Sequence, residues 1–360
     1  MKKIITKELV PGMVLADTVL TPKSNILFEK GTILTQKDIA KLAFYSIEEV
    51  SVHDNEIGEI MTVSSLPDGQ ITASERIKQT KEFQIFKADF EKCAEKFKNE
   101  ISDLVAGNKE FDCKRLLAPI YELLQKGQTN SAVFEMLNNL RNYDDATYTH
   151  CINVALASNI LAQWLRWSKE EIETATLSGL FHDIGKLAIP EDIITKPGKL
   201  TSSEYSIVKT HPQKGFDVLE NVMISIHVKN AALMHHERCD GTGYPGGLKA
   251  PQIDRYAKLV SITDVYDAMT SARHYRAPLC PFIAISMFEE DLQKYDTEMM
   301  LCFLENIVNT YMLNTVLLNT GEVGEIVFIN RNYLSRPTIK IKNDYIDLSK
   351  CPGVYIQEIL

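Results

Sequence analysis

The chain has 360 residues, 45% hydrophobic and 24% charged, which is ordinary for a globular protein and long enough for two or three domains, each with its own core. Its formal charge of −9 excludes the global basic surface that advertises polymeric nucleic-acid binding, yet leaves room for a small anionic ligand held by local cations. Seven cysteines, odd in number, scattered and without a C-x-x-C pair, read as free thiols in a reducing cytoplasm.

Met1-Lys2-Lys3-Ile4-Ile5 begins like a signal peptide, but Lys7 and Glu8 end the apolar run at once. Residues 1–65 read as a small α+β module. Its elements are short strands at Met13–Leu15 and Thr18–Leu20, a hairpin about Gly31 between Ile26–Phe28 and Thr32–Leu34, a helix capped by Thr35 and running to Leu42, and a returning strand at Val50–Val52. His53 reads as a surface residue. Ser64 to Gly69 (SSLPDG) is a linker candidate and opens a connector, residues 66–128. From residue 72 to about 107, Ile77, Phe83, Ile85, Phe86, Phe90, Cys93, Phe97 and Ile101 recur at helical spacing. They predict a long helix that packs on the neighbouring domain or on its twin in a homodimer. Residues 114 to 142 continue helical.

Residues 129–313 are almost all helix. Ala146 to Leu165 contains no Asp, Glu, Lys or Arg, but it holds His150, Asn153, Asn159 and Gln163, and so predicts a buried core helix rather than a membrane span. No transmembrane segment is expected, and the expected location is cytoplasmic. Ser168 to Glu171 is a capping box opening the next helix, which delivers His182 and Asp183 at its C-terminal end and stops by Pro190. A second box, Thr201 to Glu204, heads a helix expected to reach Lys209 and His211. Ala231 to His236 presents a pair of histidines, and the glycine-rich stretch Asp240 to Gly247 reads as a loop. Tyr256 to Met269 is apolar nearly all round, as a central helix is, with Asp264 and Asp267 three apart on one face. Residues 314–360 change to strands, at Thr315–Leu318, Glu325–Phe328, Thr338–Ile341 and Tyr345–Leu348, broken by Asn319-Thr320-Gly321 and Asn343-Asp344. The expected fold is therefore mainly α, with a small α+β module before it and a small β extension after it.

The chemistry concentrates between His182 and Asp264. Five of the eight histidines lie there (182, 211, 227, 235 and 236), and His150 stands just upstream. Imidazole plus carboxylate without paired cysteines is the ligand set of a transition-metal hydrolase. Neighbouring helical residues point about 100° apart, so His182 and Asp183 can reach one pocket, the imidazole as terminal ligand and the carboxylate as a bridge. His235 and His236 offer the same device. Two metals roughly 3.5–4 Å apart would clamp a phosphoryl group and generate hydroxide near neutral pH. Cys151 and Cys239 lie beside these motifs and read as packing residues, and His227 and His274 as structural or exposed.

The ordered pattern H…HD…H…HH…GYP…D resembles the HD-GYP family of bacterial cyclic di-GMP phosphodiesterases over about Thr129 to Leu313. It is carried by His150, His182-Asp183 with Lys186, His211, His235-His236, Gly243-Tyr244-Pro245 and Asp264. The resemblance implies an HD-type helical phosphohydrolase domain that cuts cyclic di-GMP to pGpG, and on a second cut to GMP, by a metal-activated hydroxide. One metal would take His182, Asp183 and Asp264 with His150; the other would take bridging Asp183, His211, His235 and His236. Family members with three metals carry a glutamate one turn before the first histidine; here that position is Ala146, so two metals are expected, with iron or manganese suited to the donors. Asp183 and Lys186 would serve catalysis. Lys186, Gly243, Tyr244, Pro245, Arg273 and Arg276 would hold substrate, with Asp267 orienting its neighbours. The alternatives left open are another cyclic nucleotide as substrate, or a cyclic di-GMP receptor with negligible turnover.

Overall fold

The computed structural model describes residues 2–20, 26–34, 36–45, 47–53, 73–105, 113–127, 129–140, 147–196, 198, 200–272 and 278–360. Elements are numbered in chain order. In the N-terminal module β1 (Lys2–Ile5) pairs antiparallel with β4 (Glu49–Val52), and β2 (Val19–Leu20) with β3 (Ile26–Phe28), while α1 (Gln36–Phe44) packs alongside. Leu15, Leu34, Leu42, Val50 and Val52 form a separate small core under these strands.

Two local readings change here. β1 is a strand although it opens with Lys2 and Lys3, because a two-stranded sheet leaves its outer face in water and Lys3 can pair with Glu49 at 2.6 Å. The hairpin expected about Gly31 does not form between its two flanks. Instead Leu15 N–H donates to Thr32 O (2.9 Å) and Leu34 N–H to Met13 O (2.8 Å), so 13–15 partners 32–34, and β3 goes to β2. Gly31, at φ +86, turns the chain between the two pairings. Thr35 and the Ser64–Gly69 linker lie outside the described residues.

The long helix expected after residue 72 is two, α2 (Ala73–Gln79) and α3 (Lys81–Val105). Thr80 divides them. Its N–H and hydroxyl both donate to Ile77 O, closing α2, and its hydroxyl oxygen accepts Phe83 N–H (3.2 Å), capping α3. The apolar stripe of α3, Phe83, Phe86, Phe90, Cys93, Phe97 and Ile101, is buried in the main core of this same chain, whereas Ile85 is 54% exposed on the opposite face.

The stripe covers a helical domain built from α4 (Cys113–Lys126), α5 (Asn130–Leu140), α6 (Thr147–Trp164), α7 (Lys169–Phe181), α8 (Glu191–Ile194), α9 (Ser202–Val208), α10 (His211–Leu219), α11 (Ile226–Met234), α12 (Arg255–Thr270), α13 (Pro281–Glu290) and α14 (Thr297–Thr310). At its centre α6, α7 and α12 pack on one another, with α11 laid against α7 and α12. α6 is buried on every side from His150 to Ala162, as its lack of charge predicts. Both capping boxes form, Ser168 with Glu171 and Thr201 with Glu204. The second helix, however, stops at Val208, and His211 opens a new one. Pro212 has no N–H to give and is at home only in a first turn, so the chain restarts there.

The C-terminal residues form one antiparallel sheet in the order β8 (Asp344–Asp347), β7 (Thr338–Ile341), β6 (Val323–Phe328), β5 (Thr315–Leu318), β9 (Ile356–Ile359). β9 went unread in the sequence because Gln357 and Glu358 break its apolar alternation; it closes the sheet on the free edge of β5. Val316, Leu318, Ile326, Ile339 and Ile356 join the same continuous core as the helices. Among the described residues no helix is long and apolar enough to cross a membrane.

Candidate metal centre

Four helix ends and one helix middle converge. His150 comes from the first turn of α6, and His182 caps the C-terminus of α7, with Asp183 next to it. A 3-10 turn, Ile184–Ala188, follows directly. His211 is the first residue of α10, His235 caps α11 with His236 beyond it, and Asp264 lies within α12. Gly185 lets these pieces meet. A Cβ there would lie 1.9 Å from His211 O and 2.5 Å from Gly215 N, so only glycine allows the turn after Asp183 to press against the start of α10.

The seven side chains form two clusters of mutually close donor atoms, His150–His182–Asp264 and Asp183–His211–His235–His236. Asp183 faces both. Its Oδ2 is 3.6 Å from His150 Nε2 and 3.3 Å from His182 Nε2, while its Oδ1 is 3.2 Å from His211 Nε2 and 3.6 Å from His235 Nε2. Asp264 Oδ1 is 3.1 Å from His150 Nε2 and 3.8 Å from His182 Nε2.

The other ring nitrogens determine which atoms these are. His182 Nδ1 donates to Gly179 O (2.8 Å), His211 Nδ1 to Val208 O (2.8 Å), and His235 Nδ1 to Ala232 O (3.0 Å). A carbonyl can only accept, so each Nδ1 carries its proton and each ring turns its Nε2 inward. His150 Nδ1 makes the corresponding contact with a carboxylate, Asp267 Oδ2, at 2.7 Å, and Ser271 donates to the other oxygen of Asp267. Burial pushes the imidazoles of His211 and His235 down from their ordinary pKa against the pull of Asp183. It pushes His236 down further, with help from its two histidine neighbours. Burial alone would raise the Asp183 carboxyl, but the Lys186 ammonium, 2.5 Å from Oδ2, turns the balance and holds it well below the usual carboxylate range.

Ring nitrogens and carboxylate oxygens thus point at one another inside the protein. His182 Nε2 and Asp183 Oδ1 have no hydrogen-bond partner at all. Left so, they are costly; around cations they are ligands. Donors about 2.1 Å from one ion and at right angles stand roughly 3 Å apart, and the His211–His235 nitrogens are 3.2 Å apart. The residues fit two metal ions, one at each cluster, with an Asp183 oxygen turned toward each.

The loop after His236 forms one wall. Tyr244 lies stacked on the His236 ring, centroids 4.5 Å apart and planes 22° apart, and its N–H donates to His236 O. Burial raises its phenol well above the ordinary value, so it stays protonated. Gly243 is pressed on the backbone of the histidine segment: a Cβ would be 2.4 Å from Glu237 Cα. Pro245 is exposed and follows a cis peptide bond. Lys186, its side chain 24% exposed, reaches from the buried Asp183 toward solvent.

All seven expected ligands therefore come together, with Lys186 and Tyr244 beside them. Arg273, Arg276, His274 and Ala146 lie outside the described residues. His227 is elsewhere, bound to Asp254 at 2.7 Å, and Cys151 is buried packing. Two residues escaped the sequence reading. Glu237, 2% exposed, accepts the N–H groups of Gly246 (2.6 Å) and Leu248 (2.9 Å). Arg238 donates to the carbonyls of His235 and Glu237 and lies over the Tyr295 ring. The available signal was a carboxylate directly after two ligands and before a glycine-rich loop.

Residues 129–299 match the HD domain family. The cyclic di-GMP phosphodiesterase PA4108 of Pseudomonas aeruginosa is 36% identical over 204 residues, 56% of this chain and 49% of that protein. A cyclic di-GMP phosphodiesterase of Thermotoga maritima is 40% identical over 149 residues, 41% of this chain and 40% of its own. The 3'3'-cGAMP-specific phosphodiesterase 1 of Vibrio cholerae is 41% identical over 133 residues, 37% of this chain and 31% of its own. The chain thus spans half or less of the length of these relatives. Among solved structures, an HDG"Y"P protein from Bdellovibrio bacteriovorus aligns with a TM-score of 0.45 and 18% identity over 85% of this chain and 99% of that one.

Proposed function

We propose that the chain, whose residues 129–299 match the HD domain family and which carries the HD-GYP motifs, hydrolyses cyclic di-GMP to linear pGpG, with GMP as the product of a second cut. The observation that carries this reading is the placement of Asp183, one oxygen toward each cluster of inward-facing imidazoles and Lys186 at its open side. Held there, two divalent cations, iron or manganese by the nitrogen-and-carboxylate donor set, would supply Lewis acidity and water activation.

The protein's own groups divide the remaining work. His211, His235 and His236, kept neutral by burial, stay available as ligands near neutral pH. Asp267 keeps the proton on His150 Nδ1 and so keeps Nε2 turned inward. Lys186 offers a positive charge to a phosphate oxygen at the mouth, where charge builds as water adds to phosphorus. Tyr244 presents a neutral hydroxyl and a ring face to the nucleotide, with Gly243 and Pro245 shaping its loop. Arg273 and Arg276, just beyond α12 in sequence, are assigned to the phosphate oxygens because a guanidinium forks onto them. The reaction adds the elements of water across one P–O3′ bond, leaving a 5′-phosphate and a free 3′-hydroxyl.

Anaerobic incubation of iron- or manganese-loaded protein with cyclic di-GMP, with products separated by chromatography beside a metal-stripped control, tests this. Metal-dependent pGpG or GMP is expected. Tight binding of intact cyclic di-GMP without turnover would replace the enzyme by a receptor. The similarity to a 3'3'-cGAMP-specific phosphodiesterase favours one other substrate, a mixed cyclic dinucleotide. A kcat/KM for 3'3'-cGAMP above that for cyclic di-GMP would move the assignment there.

A further inference from the structure

We propose that Glu237 is the positioning residue of the substrate wall: its carboxylate clamps the 243–248 loop, and through that loop it sets Tyr244 against His236. This rests on the phosphodiesterase reading only for what the wall faces, not for how it is held.

The loop folds back over the residue that immediately follows the two histidine ligands. Glu237 is buried to 2% exposure, and its two oxygens accept two backbone N–H groups, Gly246 at 2.6 Å and Leu248 at 2.9 Å. Bonds from N–H groups to a buried carboxylate are among the stronger ones a backbone makes. Two shorter-range contacts complete the return. Tyr244 N–H donates to His236 O, and Gly243 sits too close to Glu237 Cα for any side chain. The result is the stacked Tyr244–His236 pair.

Packing holds only part of the rest of the loop: Leu248 packs against the main core, while Pro245, Gly246 and Gly247 are exposed. An open hollow of about 310 Å³ adjoins it, lined by Gln213, Leu233, Met234, Pro245 and Leu248 as well as Glu237 itself. With this hollow alongside, the two carboxylate bonds join the Leu248 contact in fixing Pro245 to Leu248. Elsewhere the centre is redundantly held, its ligands at helix ends that are packed in the core. A structural acid that only supported the fold would affect ligands and loop together. An acid in this position acts on one wall alone.

The test uses full-length metal-loaded protein and the variants Glu237→Ala and Glu237→Gln, the second keeping one acceptor oxygen. Hydrogen exchange of the 243–248 amides should speed by about tenfold or more in Glu237→Ala, while α7 and α12 keep their protection and metal content stays at wild type. KM for cyclic di-GMP should rise about tenfold with kcat within about threefold, and Glu237→Gln should fall between wild type and Glu237→Ala on both scales. Unchanged exchange in the loop, or a fall in kcat that follows metal loss, overturns the proposal. If wild type turns over no cyclic dinucleotide, the phosphodiesterase reading fails, and the exchange result still decides whether Glu237 is the clamp.

Discussion

The two walls of the centre are built on opposite plans. The ligand wall is five helix-borne segments packed in the core, and His150, His182, His211 and His235 are fixed a second time by a hydrogen bond at the far side of the ring. The loop wall is a short irregular segment beside a hollow, held by the Glu237 carboxylate together with the Tyr244–His236 backbone bond and the Leu248 contact. Metal chemistry tolerates little displacement, so its ligands sit where the fold is most over-determined. If the proposed function holds, the loop wall admits and releases a nucleotide, and such a wall can sit on something that opens at low cost. The lesson is that damage to the two walls should read out in different quantities.

The sharpest way to break that contrast is Asp183→Ala. Because one oxygen of this carboxylate faces each cluster, metal content should fall at both sites, and turnover should drop by roughly a thousandfold, the upper end for loss of one preorganised electrostatic group. Elemental analysis beside the chromatographic assay checks it; retention of one full site would refute that double role. Asp267→Asn should be milder, weakening metal affinity by about ten- to a hundredfold in a chelator competition, since it touches a ligand only through His150 Nδ1. On the other wall, Gly243→Ala must move the loop off Glu237, and KM should rise about tenfold at unchanged metal content. A loss of metal in that variant would mean that the walls are not separate.

The smallest expected effect concerns pH. His211, His235 and His236 titrate below 6.5 in the folded protein and near that value when unfolded. Below 6.5 the unfolded chain therefore binds more protons, and stability rises with pH through this window and levels off above it. Urea unfolding of metal-stripped protein between about pH 5 and 8 should show that slope, and a flat profile would count against neutral, buried rings.

Much of the ligand wall was legible because metal chemistry restricts residue type. Few side chains serve as ligands, the donors here are all imidazole and carboxylate, and their order along the chain could be read directly. The helix ends that carry them were legible through their caps, at Ser168 and Thr201. The loop wall was not. Glu237 is one of many acids in the chain, and nothing in its spacing says that its oxygens will meet two amide groups nine and eleven residues on. The same limit hid the break at Thr80, where an apolar stripe runs through a cap without losing phase, and misplaced the Gly31 pairing, where two strand candidates competed for one partner. Periodicity reports which face is apolar, not which neighbour will cover it.

The distribution of core residues has a thermodynamic consequence. The C-terminal sheet shares one continuous apolar interior with the helices, whereas the N-terminal module encloses its own. Contacts across that second boundary include the Lys41–Glu290 ion pair, an exposed interaction of the kind worth about 0–1 kcal/mol. Calorimetry should therefore record two heat-absorption peaks rather than one, the module melting separately, and cations added to the centre should shift only the peak of the helices and their sheet.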